Sequence, residues 1–202
     1  KNQWYIVASP LFANTMNTSL YLFPLPVLDV PPPVSDIGDL LLGCGFVGEA
    51  LEAHHYLAGP EFFRHIAFAG CSPHLQLERP ADGGWDFCHV SLIADRQPPP
   101  LFVAPARSRP RCPSCRAPVP GWKEKLQVWE RDSAQLWRCQ ACGESCPVAM
   151  LDWRQYGFGA RCAVEIHQVY PGEALPSDGL MQLLSEGTGR EWRHAWAGSS
   201  TG

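Results

Sequence analysis

The sequence predicts an α+β fold: a mainly antiparallel sheet with helices on one face, interrupted by a small cysteine-bearing insertion. Three observations carry that prediction. Strand-like and helix-like runs occur on both sides of residues 105–148, so the flanking halves read as one domain, residues 1–104 with 149–202. Four of the nine cysteines fall in two close pairs inside the interrupting segment. Twenty prolines and eighteen glycines supply many turns and long connections. A chain of 202 residues is long enough for one medium domain and a small module.

Gln3–Ala8 is rich in β-formers and is expected to be a first strand, and Leu20–Phe23 a second, stopped by Pro24 and Pro26. Pro31-Pro32-Pro33 reads as a stiff connector. Ser35 and Asp36 signal a helix start, with Ile37, Leu40 and Leu41 at helical spacing. After Gly43-Cys44-Gly45, apolar residues at 47, 50, 51 and 57 resume the helical pattern until Gly59 and Pro60. Phe62–Phe68 is apolar and fits either helix or strand. Leu75–Glu78 alternates like a strand, Asp82-Gly83-Gly84 is a turn, and Phe87–Ala94 is a strand. Pro98 to Pro100, Pro105 and Pro110 lead into the insertion. Beyond it, Cys162–Val169 alternates, with Ala163, Glu165 and His167 on one face and Cys162, Val164 and Ile166 on the other. Pro176-Ser177-Asp178 starts a helix with Leu180, Met181, Leu183 and Leu184 facing inward, ended by Gly187 and Gly189. Glu191–Trp196 is a final strand. Strand, helix and strand in so short a span make a β-α-β unit or half of a ferredoxin-like sandwich.

The chemically explicit stretch is Arg111–Pro147. Cys112-Pro113-Ser114-Cys115 is followed, 23 residues later, by Cys139-Gln140-Ala141-Cys142-Gly143. Two such pairs read as one tetrahedral thiolate site, and zinc is the metal that four borderline-soft ligands suit best. Pro113 presets φ in the first turn, and Gly143 accepts a positive φ after the second pair. Between the pairs, Leu126–Trp129 and Ala134–Arg138 look strand-like around a polar turn, Glu130–Ser133. Knuckle, hairpin, knuckle resembles the zinc-ribbon (rubredoxin-like) family over residues 111–148, through Cys112, Cys115, Cys139, Cys142 and Gly143. That resemblance covers about a fifth of the chain and implies metal binding without a specific function. Iron in place of zinc, a pair of disulfides, or four unrelated buried cysteines are the alternatives. Four thiolates leave no open position for water, so the expected role of the metal is structural. Cys146 reads as a spare thiol beside a complete set of four.

Nine cysteines cannot all pair within the chain, which with the thiolate motif points to a reducing cytoplasm. No apolar run reaches membrane-spanning length and no signal peptide is visible, in a sequence that begins at Lys1. The formal charge of −4 is uneven: residues 1–104 carry −6, residues 105–146 carry +4 and residues 147–202 carry −2.

Three classes of function fit. The first is a zinc-binding protein, adaptor-like or immunity-like, that acts by contacting another protein; a closed metal site and the lack of a catalytic signature support it. The second is nucleic-acid binding through the basic insertion, with Arg107, Arg109, Arg111 and Arg116 meeting phosphates and Trp122, Trp129 and Trp137 stacking on bases. The third is an enzyme using histidines and cysteines beside the sheet, which two or more of His65, His74, His89 and His167 in one cleft would support. Glu52 with His55 at i, i+3, and Cys71 with His74 at metal-ligand spacing, each lack the second motif a metal site needs. The pair His54-His55 is expected at the surface or as satisfied core histidines.

Overall fold

The computed structural model describes residues 18–68, 75–169 and 172–198. The strand expected at Gln3–Ala8 and the Cys71/His74 pair lie outside them.

In chain order the elements are β1 (Thr18–Leu25), α1 (Val34–Gly43), β2 (Val47–Glu52), β3 (His55–Ala58), a one-turn α2 (Phe62–His65), β4 (Ile66–Phe68), β5 (His89–Ile93) and β6 (Leu101–Val103). There follow α3 (Trp122–Arg131), β7 (Leu136–Arg138), β8 (Ser145–Pro147), a 3₁₀ turn (Val148–Met150), β9 (Gly157–Gly159), β10 (Ala163–Ile166), β11 (Ala174–Pro176), α4 (Asp178–Thr188) and β12 (Glu191–Gly198).

Six strands form the main sheet in the order β12-β1-β10-β5-β3-β2, with every neighbouring pair antiparallel. It follows that β1 and β5 run parallel across β10, and β10 and β12 run parallel across β1. One crossover contains α1 and the other α4. These two split β-α-β units make the ferredoxin-like arrangement that the sequence left as one of two options. The order of chain events is then β1-α1-β5, an insertion, and β10-α4-β12, with β3 and β2 extending the β5 edge.

Strand alternation decides what each face meets. Leu20, Leu22, Val90, Leu92, Val164, Ile166, Trp192 and Trp196 pack under the helices with Ile37, Leu41, Leu180 and Leu184. Ser177 caps α4 by accepting the Leu180 N–H at 3.2 Å. Gly189, at φ 65°, ends that helix in the left-handed conformation. On the opposite face Tyr21, Phe23, Ile93, Ala163, Ala195 and Ala197 pack against Phe102 and Phe158 of the β6–β9 ladder.

That ladder also fixes how the insertion is attached. Val103 pairs with Gly157 and Leu101 with Gly159, so the chain leaves the sheet and returns to it side by side. Arg111 and Asp152 exchange two further backbone hydrogen bonds, at 2.9 and 3.0 Å. Between these points a second core gathers Leu101, Val103, Val119, Trp122, Leu126, Trp129, Trp137, Val148, Leu151 and Trp153 around Cys112 and Cys139.

Four local expectations change. The helix expected over residues 46–57 is the β2–β3 hairpin. Its residues are good helix formers, but β3 finds a ladder on β5, and His54 takes a positive φ of 64° at the turn. Gly59 closes the hairpin's base, where its N–H reaches the Phe46 carbonyl at 2.9 Å. Phe62–Phe68 is both things in turn, helix then strand. Leu75–Glu78 forms no strand; Leu75 and Leu77 are instead half-buried against the helix-side core. Finally, Leu126–Trp129 is part of helix α3, not the first strand of a hairpin. Trp122, Leu126 and Trp129 recur at i, i+4 and i+7 on its buried face, a helical period that outweighs their β-propensity.

Candidate functional site

The two cysteine pairs sit at the tips of two turns of the same construction. In the first, the Cys112 N–H donates to Ala117 O at 2.8 Å and the Arg116 N–H donates to Cys112 O at 3.0 Å. In the second, the Cys139 N–H donates to Glu144 O at 2.8 Å and the Gly143 N–H to Cys139 O at 3.0 Å. The residue four past the first cysteine takes a positive φ in both, 63° at Arg116 and 78° at Gly143. Gly143 does so without cost, whereas Arg116 pays roughly 1–2 kcal/mol for its Cβ. Arg116 is held there by an ion pair with Asp152 at 3.3 Å.

The second turn is the tip of the β7–β8 hairpin, in which Trp137 pairs with Cys146 and Arg138 with Ser145, and it carries Cys139 and Cys142 up to the first turn. This brings all four sulfurs within 4.8 Å of one another. Cys112 and Cys142 sulfurs are 3.8 Å apart and those of Cys115 and Cys139 are 3.6 Å apart. A tetrahedron with metal–sulfur bonds of ~2.3 Å has sulfur–sulfur edges of about 3.8 Å. A disulfide needs ~2.05 Å, and all four thiols are free. The quartet therefore fits a single metal ion and does not fit the disulfide alternative. Cys146 stays outside it, half-buried, with its thiol pushed up by burial and by the nearby Cys112 and Cys139 sulfurs.

Backbone N–H groups prepare the sulfurs for a cation. Those of Cys115 and Ser114 bring the Cys112 thiol down to about 6, and those of Cys142 and Ala141 lower Cys139. At Cys142 the Glu144 N–H also favours the thiolate, but burial and the neighbouring sulfurs outweigh it and hold that thiol up at about 12. Four thiolates at this spacing repel, and a divalent ion removes the conflict.

The tryptophans offered for base stacking do not face solvent. Trp122, Trp129 and Trp137 are 7%, 3% and 8% exposed, and Trp122 and Trp129 each meet Trp153 edge-on. Two large apolar side chains of the module are exposed instead, Val128 at 53% and Leu136 at 69%. Both line one groove of ≈ 420 Å³, floored by Trp129 and Trp137 and rimmed by Glu124, Lys125 and Arg138. Of the basic run, Arg107 and Arg109 join Arg154 around a separate groove, where the Arg107 guanidinium lies 5.5 Å from the Tyr156 ring centre.

A second polar cluster occupies the sheet face opposite the helices. Register puts Ser91 beside both Glu165 and His55, and the His167 N–H donates to His89 O at 2.9 Å. The His89 and His167 rings stack in parallel at 4.1 Å and 7°. Ser91 Oγ lies 2.9 Å from His167 Nε2, and Glu165 Oε1 lies 3.4 Å from His167 Nδ1. Burial holds both rings down to about 4; repulsion from His167 adds to the effect at His89, and repulsion from His55 at His167. Both are neutral at pH 7. Trp85 and Phe87 close over the group, 5.0 and 4.8 Å from the His89 ring.

Of the four histidines singled out in the sequence, His89 and His167 thus meet. His65 lies elsewhere, against Phe46, and His74 is outside the described residues. Cys88 and Cys162 belong to the helix-side core, with thiols pushed up to about 12 by burial, so neither joins the histidines as a nucleophile. Sequence reading did not single out Ser91. The alternation of Phe87–Ala94 put Ser91 on one face with His89, but only strand register reveals that Glu165 and His167 lie next to it. Glu52 and His55, at i, i+3 in the sequence, are cross-strand partners at the β2–β3 turn, and Glu52 pairs with Arg79 at 3.6 Å.

No helix among the described residues is long and apolar enough to cross a membrane. The chain matches no protein-family model, no curated protein and no solved structure.

Proposed function

We propose that Cys112, Cys115, Cys139 and Cys142 hold one structural zinc ion, and that the module it folds is a surface for contact with another protein. The observation that carries the metal reading is the sulfur quartet, with spacings that match a tetrahedral thiolate site. Iron would fit the same sulfurs. Zinc is preferred because four thiolates satisfy it fully and no redox partner is needed for a structural role.

The contact reading rests on the groove between α3 and β7. Val128 and Leu136 expose large apolar surface on a rigid, metal-held support, a feature that marks interaction sites more than it marks ordinary surface. The rim carries Lys125 and Arg138 against Glu124, and the segment 105–146 is positive. The partner that fits is a protein segment with an apolar side chain flanked by acidic residues. Nucleic acid is less favoured, since the three tryptophans that could stack on bases form the core.

Metal analysis of the purified protein tests the first half: about one zinc per chain is expected, and none in a Cys112→Ser, Cys139→Ser double variant. Photo-crosslinking from position 135 in the groove tests the second. A crosslinked protein should bind the wild type in calorimetry and lose affinity at least tenfold for Leu136→Glu. Equal affinity for both forms would refute the groove.

A further inference from the structure

We propose that the sheet face opposite the helices carries a hydrolytic site for carboxylic esters, in which Ser91 is the nucleophile, His167 the general base and Glu165 the residue that positions His167. This goes beyond the metal module and does not depend on it.

The geometry has the order such chemistry needs. Glu165 is 1% exposed and sits against Nδ1 of His167, which places the ring proton on Nδ1 and leaves the Nε2 lone pair for the hydroxyl of Ser91. Its 3.4 Å separation is within the range of unliganded sites, where such contacts tighten when substrate binds. His89 locks the plane of His167 from the side. Its own Nδ1 is 2.8 Å from Phe87 O, so the stack has one orientation. Ser91 is itself buried at 6% and His167 keeps 19% of its side chain exposed, so a substrate would reach the pair from the His167 side, with Trp85 at the surface beside His89. Trp85 also meets His55 at 5.2 Å, so aromatic rings border the approach and suit a short apolar acyl group.

The steps balance with water as the second substrate. The Ser91 hydroxyl proton passes to His167 Nε2 as Oγ bonds to the ester carbonyl carbon. The tetrahedral adduct collapses, the carbon–oxygen bond to the alcohol breaks, and that oxygen takes the proton from Nε2. Water then gives a proton to Nε2 and its oxygen to the acyl carbon. The bond to Ser91 Oγ breaks, Oγ recovers the proton, and the carboxylic acid leaves. Net, ester and water give acid and alcohol.

The test uses the full metal-loaded chain with a fluorophosphonate probe and p-nitrophenyl butyrate. Thiolates and surface histidines also cleave activated esters, so the deciding readout is the modified residue, mapped by peptide mass spectrometry. One phosphonyl group on Ser91 is expected, absent in Ser91→Ala and formed roughly 100-fold more slowly in His167→Gln. The labelling rate should be flat from pH 6 to 8, because His167 is already neutral there, whereas hydroxide-driven background rises about tenfold per pH unit. Glu165→Gln should lower kcat for the ester with KM kept, and Glu165→Asp should restore part of it; a merely structural carboxylate would change thermal stability and leave kcat of the folded enzyme alone. Wild type labelled no faster than Ser91→Ala, or labelled only on other residues, overturns the proposal. If Ser91→Ala fails to fold, the site mapped on the wild type decides the matter alone.

Discussion

Removing the metal should unfold one core and spare the other. The perturbation is Cys139→Ser, or a strong chelator at pH 7. Structural zinc contributes roughly 10–16 kcal/mol to the folding of small thiolate modules, while a whole domain is stable by only ~5–15 kcal/mol. What is left without metal is a ten-residue helix and a hairpin of two three-residue strands. Neither persists alone in water. The second core shares no buried residue with the core under the helices. Four of the eight tryptophans, Trp122, Trp129, Trp137 and Trp153, lie in the metal-side core, and Trp192 and Trp196 in the other. Chelation should therefore shift about half of the tryptophan emission to the red and open protease sites between residues 105 and 147. The remaining sheet should still melt cooperatively, and zinc should reverse the change. A metal-free protein with unchanged emission and an unchanged protease pattern would refute the reasoning. So would collapse of the whole chain in one transition, which would show that the two cores fold only together.

Other outcomes follow from particular residues. A Cβ at Gly59 would stand 2.2 Å from Gly45 O and 2.7 Å from Val47 O; both are backbone atoms that cannot step aside, so Gly59→Ala should cost ~3 kcal/mol, read as a lower urea midpoint at constant m. His89 and His167 titrate near 4 in the fold against 6.5 unfolded. Between those values the unfolded chain binds protons that the folded chain refuses. Stability should then rise with pH through that window and be complete above about 6.5, with up to ~3 kcal/mol lost per ring on acidification. His167→Gln should shrink the difference between urea unfolding at pH 7 and pH 5; an equal difference in variant and wild type would contradict the assignment. Fluorescence anisotropy with short oligonucleotides at ~150 mM salt should give dissociation constants no tighter than ~10⁻⁶ M, the non-specific range; sub-micromolar binding would favour the nucleic-acid reading.

The strands and helices that form the sheet's helix-side core were legible because each obeys one period along its own length. Leu20 and Leu22 alternate, as do Val164 and Ile166, and Leu180 and Leu184 are one helical turn apart. The cysteine quartet was legible because its signal is spacing, which does not depend on the rest of the fold. The β2–β3 hairpin was not, since Glu49, Ala50, Leu51 and Glu52 prefer helix locally and only pairing with β3, itself laddered on β5, makes them extended. Helix α3 was masked by its aromatic residues, which raise β-propensity while keeping helical spacing. The Ser91, His167 and Glu165 group was invisible for a different reason. Its members are 76 residues apart along the chain at the Ser91–His167 contact, and only pairing of β5 with β10 joins them.

Strand β6 separates two interiors. Leu101 and Val103 point into the metal-side core, and Phe102 between them stacks on Phe158 against the sheet at 4.8 Å. A party wall of this kind gives the surgeon a clean plane. Because Ala104 N–H already bonds Tyr156 O at 3.1 Å, a tight two-residue turn such as Asn-Gly can bridge the ends once residues 105–155 are cut away. The excised protein would keep Phe102 in its place and lay bare Leu101 and Val103, together with the sides of Gly157 and Gly159 that Trp153 and Ala149 cover. The cysteine module hangs from the sheet's far side by a single ladder, and the two strands that carry it out and back already have the geometry of a hairpin.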